Sequence, residues 1–106
     1  MDDQQARDTR DKIVAALKTV YDPEIPVNIY DLGLIYEVKV DTSGFALVIM
    51  TLTTPHCFAA QILPGQVELK AKSTPGVTSA RVEIVWDPPW TRDMITEAGK
   101  LDLGLM

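Results

Sequence analysis

Two apolar segments separated by one turn constrain this chain most. Leu34 to Val40 alternates: Leu34, Tyr36, Val38 and Val40 fall on one face, and Ile35, Glu37 and Lys39 on the other. A period of two is the mark of a half-exposed strand. Asp41-Thr42-Ser43-Gly44 has hairpin length and turn chemistry. Phe45 to Leu52 then runs apolar throughout, as a strand covered on both faces or nearly so does. A hairpin with one partly wet and one dry strand needs further layers to cover it.

The flanking segments supply them. Ile13, Ala16, Leu17, Val20 and Tyr21 recur at helical spacing, which predicts an amphipathic helix over Thr9–Tyr21. Asp8 or Thr9 is the expected cap, and Pro23 the expected stop. Residues 1–8 read as a flexible leader, and DPEIPVNIYDLGL as an ordered loop in which Gly33 allows a close approach or a positive φ. After TTPHC a second helix is expected, with a first turn over His56–Ile62 and a kink or restart at Pro64. Ala60, Leu63, Val67 and Ala71 form its apolar stripe. Val77–Trp86 reads as a third strand with Ala80, Val82, Ile84 and Trp86 towards the core. The tail is expected to be irregular, with a short helix near Arg92–Lys100 capped by Thr91.

The order is therefore α-β-β-α-β. It predicts one α/β (α+β) two-layer sandwich over residues 1–106. A small three-stranded mixed sheet carries its helices on one face, and a right-handed crossover sets the third strand parallel to the second. Either hairpin strand is open to that third strand as a neighbour.

Composition narrows the chemistry. A net charge of -5 disfavours nucleic acid, and no apolar run approaches the roughly 20 residues of a membrane span. One cysteine cannot form a disulfide within one chain, and a lone thiol suits a reducing compartment, so the cytoplasm is expected. That cysteine, Cys57, stands between a buried strand and a helix start. Amide N–H groups there favour an anion, and a thiolate is one. Thr53 and Thr54 hydroxyls lie close in sequence and are further hydrogen-bond donors. The plainer reading is a small buried hydrophobe. His56 precedes Cys57, but adjacent helical side chains diverge by about 100°, which is awkward for a chelate. Asp22, Glu24, Asp31 and Glu37 bring four carboxylates near the hairpin entry; capping and turn bonding explain Asp22 and Asp31 more readily than Glu24.

Together DPEIPVNIYDLGLIYEV, MTLTTPHC, the PGV before the third strand and WDPPW resemble, in order and over nearly the whole chain, the SufT/PaaD-like family of small iron–sulfur cluster assembly proteins. The resemblance implies a compact α/β domain that helps mature iron–sulfur proteins, some members standing alone and others accompanying a multicomponent oxygenase. It carries the functional cysteine onto Cys57 and the acidic loop residue onto Glu24. Asp31 and Gly33 match the DLG step, and Thr51 and Thr53 match the strand end. His56 and Phe58 depart from the family's usual small residue and proline.

A cluster usually takes four protein ligands. One chain offers one thiolate and a symmetric dimer two. The expected role is thus a non-catalytic, transient carrier or adaptor: Cys57 binds an iron–sulfur cluster or iron in passing, sharing it with a second subunit, a small thiol or the client. Glu24, Asp31, Thr51, Thr53 and His56 support it. The expected partners are iron–sulfur client or assembly proteins. Two readings compete with it: an interaction adaptor with a structural cysteine, and a thiol enzyme, for which no base is evident.

Overall fold

The computed structural model describes residues 1–23, 25–53 and 59–104, with the backbone alone for Ala59, Ala60 and Gln61. Glu24, Thr54, His56, Cys57 and Phe58 therefore lie outside the described residues.

The first helix, α1, spans Asp3–Leu17 and so begins six residues before the expected start. The cap is Asp2, not Asp8 or Thr9. Its carboxylate accepts from Gln5 N–H at 2.7 Å, and the Gln5 side chain accepts from Asp2 N–H at 2.9 Å. This reciprocal pair satisfies two otherwise orphan donors. The first turns hid from the apolar pattern because small residues bury there: Ala6 and Thr9 extend the stripe of Ile13 and Leu17. The helix also ends early. Val20 accepts from Ile29 N–H at 2.9 Å and Tyr21 bridges to Asn28, so Val20 and Tyr21 belong to the next loop.

Strands β1 (Ile35–Val40), β2 (Phe45–Met50) and β3 (Ser79–Ile84) form one sheet in the order β1-β2-β3. β1 and β2 are antiparallel, and β2 and β3 parallel. The neighbour of the third strand, open from sequence, is thus the second. A register shift between Ile35 and Glu37 leaves Tyr36 as the extra residue of a bulge.

Helix α2 spans Ala59–Lys72 and continues through Pro64, where a kink or restart was expected. Proline costs a helix one N–H bond. Burial of Leu63, Val67 and Ala71 on the sheet offsets that loss. Both helices cover one face, and the core joins Ile13 and Leu17 of α1 to Val38, Ala46, Val48 and Met50. Phe45, Leu47 and Ile49 on the opposite face are only half-buried, and among the described residues no second layer covers them.

The end of the chain differs most from expectation. β3 stops at Ile84, and Trp86 is 47% exposed rather than in the core. Trp90 takes the inner role: it packs on the core and donates from Nε1 to Leu32 O at 2.7 Å. Instead of one helix over Arg92–Lys100 there is a 3-10 turn at Arg92–Met94 and a helix, α3, at Glu97–Asp102. Ile95, buried and extended, separates them. The cap of α3 is Thr96, whose hydroxyl accepts from Gly99 N–H, rather than Thr91.

Candidate functional site at one end of the sheet

The connections gather at one end of the sheet. β2 and β3 finish there, β1 begins there, and α2 starts there. Two backbone bonds hold the strands just beyond their ladder: Thr51 N–H donates to Leu34 O, and Val85 N–H to Met50 O, both at 2.9 Å. In sequence, Cys57 falls four residues past Thr53 and two before Ala59, the residues that border this end. The exposed Trp86 follows β3 out of the same end.

Thr51 is completely buried, and its Oγ1 has no aligned hydrogen-bond partner. The Tyr36 hydroxyl is close enough for the threonine to lower its pKa. The two hydroxyls lie outside hydrogen-bond geometry. The Tyr36 proton has two acceptors in reach, Pro88 O at 2.6 Å and Met94 Sδ at 3.7 Å, and the carbonyl is the stronger. Tyr36 therefore fastens the WDPPW turn to the bulge in β1. Thr53 lies in a bend at the strand exit and is partly exposed.

Burial pushes the Tyr36 phenol above its usual value; the Asp87 charge adds to that and Thr51 opposes it. The folded state then holds the phenolic proton to higher pH than the unfolded chain does. Stability from this group is present below pH 10 and is lost as pH rises through the folded value. Denaturant melts above pH 10 are expected to show a downward slope that Tyr36→Phe reduces. An unchanged slope in that variant would place the alkaline transition elsewhere.

Asp31 has a structural task. Its Oδ2 accepts from Asn28 Nδ2 at 2.8 Å and its Oδ1 from Thr96 Oγ1 at 3.0 Å. Its backbone N–H donates to Asn28 Oδ1, and its carbonyl accepts from Thr96 N–H at 2.8 Å. The residue clamps the first loop to the cap of α3. Removing a carboxylate with two such bonds costs about 2 kcal/mol. Asp31→Ala should lower stability by that amount in urea titration while leaving iron uptake per folded molecule unchanged. A stable variant that fails to take up iron would make Asp31 a ligand.

The other carboxylates disperse. Asp22 is buried and accepts from Ile25 N–H at 3.1 Å. Glu37 pairs with Lys39 at 3.7 Å on the open sheet face. Among the described residues, no three His, Cys, Asp or Glu side chains come together as a metal site. Glu24, His56 and Cys57 lie outside those residues. Tyr36, Met94 and Trp90 shape this end without having been singled out from sequence. The aromatic-proline turn was their one available signal.

Comparison with known proteins follows the same segments. Residues 10–84 match the iron-sulfur cluster assembly protein family. The chain is 48% identical over 98 residues to a Porphyromonas gingivalis protein named Fe-S protein maturation auxiliary factor, covering 92% of this chain and 93% of that one. It is 41% identical over 86 residues to the Staphylococcus aureus Fe-S protein maturation auxiliary factor SufT, covering 81% and 98%. Among solved structures, a Bacillus anthracis domain of unknown function, DUF59, superposes with a TM-score of 0.90 at 31% identity, covering 99% of this chain and all of that one.

Proposed function

Because the chain belongs to the iron–sulfur cluster assembly protein family, we propose that it is a maturation factor that takes up an iron–sulfur cluster or iron in passing and hands it to client proteins through Cys57. The observation that carries this is the matched segment itself. It takes in the second half of α1, all of α2 and the whole sheet, and contains the only thiol of the chain.

The cluster is cargo. Four ligands are usual and one thiolate is present, so the chain cannot close a coordination sphere alone. An open sphere suits transfer, because an incoming client thiolate finds a place at the metal. A second subunit, a small thiol or the client completes the set. Glu24 and His56 are the further candidate ligands. Thr51, Thr53 and Asp31 support the site by fixing the strand exit and the first loop. The activity is binding and transfer rather than catalysis, and its partners are iron–sulfur assembly or client proteins. Among the described residues no helix is long and apolar enough to cross a membrane. The lone thiol suits the cytoplasm.

Anaerobic reconstitution with iron and sulfide, followed by addition of an apo client, tests the reading directly. Uptake and release to the client support it. Absence of iron from both the wild-type protein and a Cys57→Ser variant sinks it. One feature favours a second reading, in which the chain is a docking adaptor and Cys57 only packs: Trp86 stands exposed at this end. Full client capture by Cys57→Ala together with loss of capture by Trp86→Ala would select the adaptor.

A further inference from the structure

Strand β1 is an edge of the sheet, and its outer side opens into a groove of about 500 Å³ against α1. The ladder fixes which backbone groups point there. Asp41 N–H donates to Phe45 O at 3.0 Å, and Lys39 stands opposite Leu47. Asp41 and Lys39 therefore turn their backbone groups towards β2. The alternation of an antiparallel pair then turns those of Val38 and Val40 outward. Arg10 agrees with this parity, since its Nε donates to Val38 O at 3.0 Å from the outer side. The groove thus offers a short row of strand donors and acceptors, one of them held by a movable guanidinium.

Its charge is unusual for a chain of net charge -5. Arg7 and Arg10, one turn apart on α1, and Lys39 line it together with Asp3 and Asp41. The Asp41 carboxylate is turned into its own hairpin, where it accepts from Ser43 N–H, Ser43 Oγ and Phe45 N–H. The cations are loosely held. Arg10 meets Asp11 at 3.5 Å and Lys39 meets Glu37 at 3.7 Å, all on half- or mostly exposed side chains, and Arg7 donates to Gln4 Oε1. Exposed pairs of this kind contribute little and give way to a better acceptor.

We propose that this groove is a docking site for an extended acidic segment of a partner protein, which adds as a strand to the outer edge of β1. Main-chain bonds to Val38 and Val40 supply the register, and alternate acidic side chains, all on the face that α1 covers, meet Arg7 and Arg10. A second copy of this chain fits poorly, because pairing β1 with itself sets the same cations against one another. Nucleic acid would leave the outward amides of the edge without strand partners. The groove lies towards the hairpin turn, about 15 Å along the strands from the end where Thr51 meets Leu34. A partner held here leaves that end free, and the inference does not depend on what Cys57 does.

The probe is an acetylated, amidated decapeptide of alternating threonine and glutamate, titrated into the isotope-labelled full-length protein. The amides of Val38 and Val40 are expected to shift most. Affinity is expected to fall about tenfold in the Arg7→Glu, Arg10→Glu double variant. Binding is expected to vanish when alternate peptide amides are N-methylated, which keeps the charge and removes strand bonding. That comparison uses the wild-type protein, so it stands even if the double variant folds badly. The proposal is overturned if nothing shifts at millimolar peptide, if the shifts centre elsewhere, or if the N-methylated peptide binds equally well. It is also overturned if ten-residue oligothymidylate binds as tightly, because the surface would then be a general anion patch.

Discussion

Gly33→Ala is expected to lower stability by about 3–5 kcal/mol and the melting temperature by more than about 10 °C. Two costs combine. Gly33 has φ +88°, where an L side chain is strained by about 1–2 kcal/mol. The added methyl would also lie 2.5 Å from Met94 O and 2.8 Å from Met94 Cβ. Two of its three nearest neighbours are backbone atoms, so rotating a side chain cannot relieve the overlap. The chain must shift its 3-10 turn at Arg92–Met94 or open the turn before β1, in which Gly33 N–H donates to Tyr30 O at 3.1 Å. Either movement loosens the fastening by Tyr36 and Trp90. Gly104→Ala is the control, since it shares a positive φ and no atom of the described residues lies within 4 Å of the new methyl. Equal small losses in both variants, measured in denaturant, would show that the tail does not press on Gly33.

The contrast between these glycines shows what a sequence can and cannot convey. Strand alternation and the crossover order are local patterns, and they led to the sheet with its helices on one face. The sequence marks Gly33 as a close approach or a positive φ, and both hold, but what approaches it, Met94, lies 61 positions further along the chain. Trp86 and Trp90 show the same limit. Both are aromatic, both flank the proline pair, and only the three-dimensional path puts Trp90 inside and Trp86 outside. The early start of α1 was missed because its stripe there is Ala6 and Thr9, neither of which stands out as apolar. Asp31 was legible as a loop carboxylate. Its dependence on Thr96 was not, since that contact also spans most of the chain.

Cys57→Ser is expected to reduce iron and sulfide uptake at least about tenfold while leaving the melting temperature nearly unchanged. The substitution removes little volume but replaces a soft sulfur with a hard hydroxyl, which is a poor partner for iron–sulfur clusters. No other sulfur in the chain can stand in as a thiolate, because the remaining four are thioethers. Stability should hold because the large buried side chains centre on Ile13, Leu17, Met50, Leu63 and Val67. The thiol itself should alkylate with a midpoint below the usual 8.5 if the amides at the start of α2 favour its anion. A normal midpoint together with full uptake by Cys57→Ser would remove the thiolate from the mechanism. A normal midpoint with uptake lost would keep Cys57 as the ligand and make the metal, not the helix, responsible for deprotonating it, since thiol binding to a metal releases the proton. Uptake that falls with protein dilution in the wild type, and not with added small thiol, would show that a second copy supplies the missing sulfur.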